Sequence, residues 1–445
     1  MLISVSAMIL IKAVIVLLHA CTLTLGQPLK QARSPITTNK PFITVWNAPT
    51  EACQSLFGID LNLGIFDIIA NQNDSLIGQN VAIFYDNKLG FYPYYTASGV
   101  SVNGGVPQNA SLKDHLAKAQ VDVEKLIPLK NFSGLSVIDW EAWRPSWIRD
   151  WAQKDIYRKK SEELVRTKHP DWPESQVLKQ AQTEYEQAAR DFMALTLNMA
   201  KGLRPGGLWG YYGFPCCYNS VISKNYTGEC PDIELERNDH LMWLWRESMA
   251  LYPSIYLDRK LQSTENALKF VHYRIKEGLR LAQLGANHSL PIFPYARIVY
   301  ANTTDFLTEI DLVHTIGESA AMGAAGIVLW GNSDYAKSQE SCLALKAYIN
   351  ETLGNYIVNV TNAAIICSRL LCTDHGRCVR MNKDTHSYLH LNTDIFRIGV
   401  NPSGEGLAFF LQGQTAEKDM KKMAATFHCH CYNGWTGEHC EITNG

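Results

Sequence analysis

The sequence has no excess of charge of one sign and only one long apolar run, and both shortages exclude classes of function. Its 445 residues carry 41 Lys and Arg against 43 Asp and Glu, a net charge of −2. This balance argues against a nucleic-acid binder or a strongly basic membrane-surface protein. The single apolar run extends from Leu2 to Leu25, so no membrane span is expected in the mature chain. A glycolipid anchor signal is not expected either, because the sequence ends without a hydrophobic tail.

The apolar run predicts entry into the secretory pathway. Residues 1–26 resemble a signal peptide with Thr24-Leu-Gly26 as a cleavage site, and we expect a secreted or lysosomal monomer. Twelve cysteines, eleven once Cys21 leaves with the signal, indicate disulfides, and the odd number leaves at least one thiol free or intermolecular. Eight N-x-S/T sequons fit glycosylation and begin at Asn73, Asn109, Asn131, Asn225, Asn287, Asn302, Asn350 and Asn359.

The strongest chemical signal is the stretch Gly134–Pro145. Its apolar start predicts a short strand, and side chains two apart on a strand share a face, so Asp139 and Glu141 are expected to emerge together. In a pocket walled by aromatics, two neighbouring carboxyls raise the pKa of one until it holds a proton near neutral pH, as a general acid requires. The alternative is that Asp139 and Glu141 lie at a solvated strand end and have no catalytic role. It is disfavoured because an exposed loop rarely carries the tryptophans of this stretch, Trp140, Trp143 and Trp147.

Short apolar runs alternate with amphipathic segments along most of the chain. This alternation predicts an α/β fold, a distorted TIM-like (β/α) barrel of about seven parallel strands. We expect a flexible lead-in at 27–40, the barrel at 41–360 and a small disulfide-rich module at 361–445. The predicted strands are Phe42–Trp46, Val81–Tyr85, Leu135–Trp140, Gly207–Tyr212, Ser254–Leu257, Ile292–Val299 and Ile327–Trp330. The predicted helices are Leu112–Ile127, Trp147–Lys168, Glu174–Leu203, Leu235–Ala250, Asn266–Leu284, Leu307–Met322 and Ala336–Leu353.

Aromatic side chains occur at most predicted strand ends, where barrel enzymes place their chemistry. Sugar rings stack on aromatic rings while phenols donate hydrogen bonds, so this set favours a carbohydrate site. Each member taken singly is better explained as packing. The set is Tyr85, Tyr211, Tyr212, Tyr256, Tyr300 and Trp330.

The cysteine pattern after Cys367 resembles an EGF-like module. A C-x-C pair at Cys429 and Cys431 precedes an aromatic-Gly-aromatic-x-Gly run and a last cysteine, Cys440. A unit this small needs disulfides in place of a large core. Zinc binding by Cys429, Cys431 and nearby histidines is the less favoured alternative, because both the compartment and the spacing suit disulfides. We therefore expect no metal and no cofactor.

Six motifs together closely resemble the animal hyaluronidases, glycoside hydrolase family fifty-six, of the vertebrate type with an EGF-like end. The resemblance runs from about Pro41 to Cys440 and is very specific. Its motifs are Val-Ile-Asp-Trp-Glu-Ala-Trp-Arg-Pro (137–145), Lys-His-Pro-Asp-Trp-Pro (168–173), Leu-Trp-Gly-Tyr-Tyr-Gly-Phe-Pro (208–215), Leu-Tyr-Pro-Ser-Ile-Tyr-Leu (251–257), Gly-Ala-Ala-Gly-Ile-Val-Leu-Trp-Gly (323–331) and the cysteine-rich tail.

The resemblance implies an endo-acting, retaining β-N-acetylhexosaminidase. It makes Glu141 the proton donor and Asp139 its partner, whose charge raises the pKa of Glu141. The residues implied to line the substrate groove are Tyr85, Tyr212, Tyr256, Arg274 and Trp330. The implied disulfides are Cys53–Cys342, Cys217–Cys230, Cys367–Cys378, Cys372–Cys429 and Cys431–Cys440. Cys216 is left over, at a position where many vertebrate relatives carry Asp.

One acid–base pair without a second placed carboxylate suggests substrate assistance, in which the 2-acetamido group of the sugar is the nucleophile. Glu141 would then act as acid and later as base, Asp139 would accept from the acetamido N–H, and Tyr256 would bond the acetamido oxygen. Arg274 could face a uronate carboxylate. Hyaluronan and chondroitin both fit as polysaccharide partners. The alternatives are a chondroitin-preferring hydrolase, a chitinase-like enzyme, which Arg274 and the resemblance disfavour, and a catalytically silent hyaluronan-binding or adhesion protein.

Overall fold

The computed structural model describes residues 29–69, 80–403, 406–415 and 417–444. The predicted signal peptide at 1–26 and the sequon at Asn73 lie outside these residues. Gln31–Gly445 forms one compact unit, and all elements below belong to it. None of its described helices is long and apolar enough to cross a membrane.

Parallel strands form the centre of this unit. Seven of the described strands run parallel in two sheets, ordered β2-β1-β9-β8 and β3-β6-β7. The described strands are β1 (Ile43–Asn47), β2 (Ile68–Ile69), β3 (Val81–Tyr85), β4 (Tyr94–Tyr95), β5 (Ser101–Val102), β6 (Leu135–Asp139), β7 (Leu208–Tyr211), β8 (Tyr295–Ala296), β9 (Gly326–Trp330), β10 (Gly376–Arg380), β11 (Arg397–Ser403), β12 (Gly406–Gln412), β13 (Phe427–Cys431), β14 (Trp435–Thr436) and β15 (Ile442–Thr443).

Segment 251–254 joins the two sheets. Tyr252 forms a parallel bridge to Tyr212, which follows β7, and Ser254 forms one to Tyr295 in β8. The strands therefore follow one another in chain order from β3 round to β2. Within the described chain no pairing closes the ring between β2 and β3. This arrangement is the distorted (β/α) barrel that the sequence predicts.

Two predicted barrel strands are shorter than expected. Ser254–Leu257 contains only the bridge at Ser254, and of Ile292–Val299 only Tyr295–Ala296 is a strand. Proline has no N–H to give to a sheet; Pro253 directly precedes the first segment and Pro294 lies within the second. The prolines therefore explain why the ladder is broken here.

Helices cover the barrel and follow the predicted amphipathic segments with local differences. The helix α4 (Glu174–Leu203) buries Val177, Ala181, Tyr185 and Ala189, which are four residues apart, as one apolar stripe. The predicted helix Leu235–Ala250 is instead two helices, α5 (Asp232–His240) and α6 (Met242–Glu247). The described helices are α1 (Glu51–Ser55), α2 (Leu112–Leu126), α3 (Asp155–Lys168), α4 (Glu174–Leu203), α5 (Asp232–His240), α6 (Met242–Glu247), α7 (Glu265–Ala282), α8 (Glu309–Leu312), α9 (Glu318–Met322), α10 (Gln339–Tyr348), α11 (Gly354–Cys372) and α12 (Glu417–Thr426).

Disulfides fasten the C-terminal region, in which β10 pairs with β13 and β11 with β12. The five pairs are those that the resemblance implies, and Cys216 is the free thiol among the described cysteines. The described residues contain no group of three or more His, Cys, Asp or Glu side chains that could hold a metal ion. The pairs are Cys53–Cys342, Cys217–Cys230, Cys367–Cys378, Cys372–Cys429 and Cys431–Cys440.

The segment at 31–36, expected to be part of a loose lead-in, contacts both the barrel and the C-terminal region. Ala32 is buried, donates its N–H to the carbonyl of Cys431 at 2.8 Å and forms parallel bridges to Ser289 and Tyr432. Arg33 donates to the carbonyl of Gly206 at 3.2 Å. The segment therefore ties the two ends of the described chain together.

Candidate active site

The carboxyl ends of the barrel strands surround one pocket. Six of the seven predicted site residues line this pocket. Arg274 is the predicted residue that does not line it. The lining residues are Ile83, Tyr85, Val137, Asp139, Glu141, Tyr212, Tyr256, Tyr295, Arg297 and Trp330.

Strand register explains how the acidic pair and Tyr85 come together. In β3 and β6, Tyr85 lies directly beside Asp139. Alternate residues point to one face, so Asp139 faces the pocket together with Val137, two residues earlier. Glu141 continues this spacing just beyond the strand end, and it also lines the pocket. The predicted juxtaposition of Asp139 and Glu141 is therefore present.

Asp139 has a pKa well above its usual range. Burial, and then the nearby charge of Glu141, raise the pKa of Asp139 to about 7, although Arg144 opposes the shift. Its Oδ1 atom is buried and has no hydrogen-bond partner within the described residues. Asp139 can therefore hold a proton near neutral pH and offers an oxygen to a ligand in the pocket.

Glu141 differs from Asp139 because its side chain reaches solvent. The side chain is 58% exposed, and its Oε1 lies 4.0 Å from Nη2 of Arg144. Lys154 Nζ donates to the backbone carbonyl of Glu141, which anchors the chain just after β6. Glu141 is thus fixed through its backbone while its carboxyl remains accessible to a bound polymer.

The tryptophans of the acidic stretch do not line the pocket, and their burial agrees with the expectation that this stretch is not an exposed loop. Trp140, Trp143 and Trp147 are all buried beneath the loop. Trp140 stacks on Tyr92 with ring centroids 4.6 Å apart. These rings support the loop from the core side, and other aromatic residues form the wall.

Asp150 is a buried anchor of the same loop that sequence reasoning missed. Its Oδ1 accepts from the backbone N–H of Arg144 at 2.8 Å, and its Oδ2 accepts from the Tyr185 hydroxyl at 2.7 Å. Burial raises the pKa of Asp150 to about 7, against these hydrogen bonds. Through Arg144 and Tyr185 the carboxyl connects the Glu141 loop to α4. No sequence motif marked it.

The aromatic wall consists of predicted residues together with Tyr295. Tyr256 stacks on Trp330 with centroids 6.0 Å apart, and Tyr212 meets Tyr295 edge-on at 5.0 Å. Burial raises the pKa of Tyr212 and Tyr256, so both phenols stay neutral and can donate hydrogen bonds. The wall therefore offers both stacking faces and hydroxyl groups.

Two other tyrosines at predicted strand ends pack against the protein interior and do not line the pocket. Tyr211 is buried and its hydroxyl donates to the carbonyl of Met193 at 3.1 Å. The Tyr300 hydroxyl donates to Oδ2 of Asp311 at 2.5 Å. Neither residue lines the pocket.

Two arginines near Tyr256 have different surroundings. Arg274 donates to the carbonyl of Ser254 at 2.6 Å and to Oδ1 of Asn219 at 2.9 Å, so it supports the segment that carries Tyr256. Arg297, which sequence reasoning missed, lines the pocket itself. Its position two residues after Tyr295, on the same predicted strand, was the signal that could have identified it.

The remaining predicted positions lie away from the pocket. Cys216 is half-buried and its thiol donates to the carbonyl of Gly213 at 2.8 Å. Asn350 and Asn359 are half-buried. The exposed sequon asparagines are Asn109, Asn131, Asn225, Asn287 and Asn302. Glycosylation at all of these sequons stays a prediction.

Comparison with known proteins agrees with the barrel fold. The family model for hyaluronidase, glycoside hydrolase family 56, matches residues 31–444. Similar proteins include a hyaluronidase of Crotalus adamanteus, 49% identical over 420 residues that cover 94% of each chain. Hyaluronidase-2 of Bitis arietans is 49% identical over 414 residues, 92% of each chain.

A solved structure shares the fold over most of the barrel. The crystal structure of bee venom hyaluronidase in complex with a hyaluronic acid tetramer is 33% identical with a TM-score of 0.65. The match covers 71% of this chain and 98% of that chain. The resemblance stated from sequence is thereby confirmed, and the chain belongs to the hyaluronidase family of glycoside hydrolases.

Proposed function

We propose that this enzyme hydrolyses the β-1,4 linkages of hyaluronan by a retaining mechanism assisted by the substrate. The observation that carries the proposal is the unpartnered, buried Oδ1 of Asp139 beside the exposed carboxyl of Glu141 in one aromatic pocket. Support for the substrate comes from the relatives, one of which was solved with a hyaluronic acid tetramer.

In the first step the acetamido carbonyl oxygen of the substrate attacks the anomeric carbon. The glycosidic C–O bond breaks, and Glu141 gives its proton to the leaving oxygen. Asp139 accepts a hydrogen bond from the acetamido N–H and stabilises the positive charge of the oxazolinium intermediate. This contact favours the ionised form of Asp139 and so leaves the proton of the pair for Glu141.

In the second step water opens the oxazolinium ring. Glu141 takes a proton from the water, which adds to the anomeric carbon from the face of the departed sugar. Two displacements at one carbon retain the β configuration. The Tyr256 hydroxyl bonds the acetamido oxygen, which keeps the nucleophile in line.

The rest of the pocket positions the polymer. Trp330 offers its ring as a stacking face, and Tyr85 and Tyr212 donate hydrogen bonds to sugar oxygens. Arg274 stays a predicted substrate contact, and its bonds to Ser254 and Asn219 also place it behind the Tyr256 segment.

The proposal extends to the compartment and to the organisation of the chain. Five disulfides and exposed sequons support a route through the secretory pathway, ending outside the cell or in the lysosome. The proposed division is a signal peptide at 1–26, a lead-in at 27–40, a barrel at 41–360 and an EGF-like region at 361–445. The enzyme acts as a monomer in this proposal.

The decisive experiment measures polymer length against time for the wild type and for Glu141→Gln. The amide keeps the shape and loses the transferable proton, so cleavage should fall by about 10²–10⁴-fold or more while the polymer still binds. Early NMR of the wild-type digest should show the β anomer at an N-acetylhexosamine reducing end. An active Glu141→Gln enzyme, or an α anomer, would contradict the mechanism.

Chondroitin is the second candidate substrate because it also joins N-acetylhexosamine to glucuronate. The same assay on chondroitin, run beside hyaluronan, measures the preference. Faster shortening of chondroitin would make the enzyme a chondroitin-preferring hydrolase with the same acid and the same nucleophile. Binding of either polymer without any shortening would instead indicate an adhesion protein.

A further inference from the structure

Arg297 is the cation that lines the pocket, and the mechanism above does not use it. It follows β8, and its side chain meets the same pocket as Asp139 and Glu141. Its guanidinium carbon lies 5.2 Å from the ring centroid of Trp330 and 6.0 Å from that of Tyr256. A fixed positive charge therefore lies against the two stacked rings where a sugar would bind.

The charge of Arg297 is not neutralised by the protein around it. Within the described residues Arg297 takes part in none of the ion pairs, and its Nε is buried without a hydrogen-bond partner. Its guanidinium faces the phenol of Tyr335, which carries no charge at neutral pH. Arg297 is half-buried, and a partly buried cation without a counter-ion favours the binding of an anion beside it.

Arg274 provides the contrast within the same protein. Its Nε and Nη1 already donate to Asn219 and to the carbonyl of Ser254, and its guanidinium lies 4.1 Å from the Phe270 ring centroid. Those donors are therefore used in hydrogen bonds within the protein. The donors of Arg297 are the ones that a ligand in the pocket can reach.

We propose that Arg297 binds the carboxylate of a uronic acid adjoining the N-acetylhexosamine at the cleaved bond, and so selects uronate-containing chains over uncharged ones. The inference rests on the proposed hydrolysis of hyaluronan. A planar guanidinium matches a carboxylate with two parallel hydrogen bonds. The neighbouring rings of Trp330 and Tyr256 keep water away, which strengthens the charge interaction.

The test compares binding of two ligands that differ only in charge. One is a hyaluronan oligosaccharide, and the other is the same oligosaccharide with its carboxyls reduced to primary alcohols. Binding is measured on the Glu141→Gln background, so that neither ligand is cleaved. Arg297→Gln removes the charge, and Arg297→Lys keeps the charge but loses the planar fork.

Arg297→Gln should raise the Kd for the hyaluronan oligosaccharide by about 10–100-fold, which is the usual worth of hydrogen bonds to a charged group. The Kd for the reduced oligosaccharide should change by less than about threefold. Arg297→Lys should fall between wild type and Gln for the charged ligand. If the Gln variant does not fold, the Lys variant should still weaken the charged ligand more than the neutral one.

Two results would overturn the proposal. In the first, Arg297→Gln weakens both ligands equally, which would mean that the arginine only supports the pocket wall. In the second, Arg274→Gln and not Arg297→Gln removes the preference for the charged ligand. A wild type that leaves hyaluronan uncut would refute the proposed function, whereas a cutting enzyme indifferent to Arg297→Gln would refute this inference alone.

Discussion

At the scale of single residues, the acid–base pair predicts a specific dependence of rate on pH. The pKa of Asp139 is raised to about 7, so below that pH the pair carries one proton, and above it the proton is lost. The pair then has no proton left to give to the leaving oxygen. We expect kcat/KM for hyaluronan to fall as the pH rises through about 7.

Asp139→Asn should remove most of the activity and shift the pH at which the remaining rate declines, because the amide neither shares the proton of the pair with Glu141 nor stabilises the oxazolinium. The loss should be about 10²–10³-fold in kcat, as for other groups that stabilise a developing charge. The measurement is kcat/KM from pH 4 to 9 for both proteins. A wild-type profile that is flat between pH 6 and 9 would refute the assignment of the titrating group.

The sequence could predict residue roles that the geometry of a single strand decides, but not those that packing between strands decides. Period-two spacing was sufficient to predict that Asp139 and Glu141 share a face, because the geometry of one strand decides it. The raised pKa of Asp139 depends on burial, and that burial comes from neighbouring strands. Arg297 was missed although its spacing from Tyr295 was a signal, and only the packed barrel shows that the donors of Arg274 already bond to Asn219 and Ser254.

A second residue-scale prediction concerns Cys216, the thiol outside the disulfide framework. Alkylation of the denatured, unreduced protein should label Cys216 and no other mature cysteine. Peptide mapping without reduction provides the measurement. Cys216→Ser should keep secretion and all five disulfides, because Ser can also donate to the carbonyl of Gly213. A Cys216–Cys230 peptide with free Cys217 would disprove the pairing.

At the scale of elements, the loop between β6 and α3 predicts how stability depends on pH. The pKa of its buried anchor Asp150 is about 7 in the folded state. An unfolded Asp loses its proton near pH 4, so between about pH 4 and 7 the folded state holds more protons. Stability from this group is therefore lost as the pH rises through that range.

Asp150→Asn should lose this dependence while its amide oxygen still accepts from the N–H of Arg144. The free energy of unfolding of Asp150→Asn minus that of the wild type should therefore rise by about 1–3 kcal/mol between pH 4 and pH 7. Denaturant unfolding at four pH values provides the measurement. Asp171→Asn, an exposed change between α3 and α4, is the control. Equal pH slopes in wild type and Asp150→Asn would disprove the argument.

Elements themselves were predictable where local sequence decides them. The apolar runs of β3 and β6 predicted strands correctly to within one residue, and α4 was predicted with its exact bounds. The segment Ser254–Leu257 was predicted as a strand and contains only the bridge at Ser254, because Pro253 interrupts a pairing that side-chain pattern alone suggests. Closure of a barrel depends on such contacts between distant segments.

At the scale of the whole molecule, a buried ion pair joins the C-terminal region to the barrel. Arg380 in β10 makes two hydrogen bonds to Glu318 in α9, of 2.7 and 2.9 Å, and both side chains are almost fully buried. His272 in α7 also contacts Glu318 at 2.8 Å. The proposed boundary between residues 360 and 361 lies within α11, so the two parts also share a continuous helix.

Arg380→Met should therefore destabilise the whole chain, because it leaves the Glu318 carboxylate buried without its cation. Removing one partner of a buried pair costs about 3–5 kcal/mol. Thermal unfolding measures the loss, and cleavage of hyaluronan at low temperature should be preserved because the pair lies outside the pocket. The double variant Arg380→Met, Glu318→Leu should recover much of the stability, since no charge then remains buried. A single variant as stable as wild type would show that the two parts do not depend on this pair, whereas a double variant no better than the single would assign the loss to packing around Arg380.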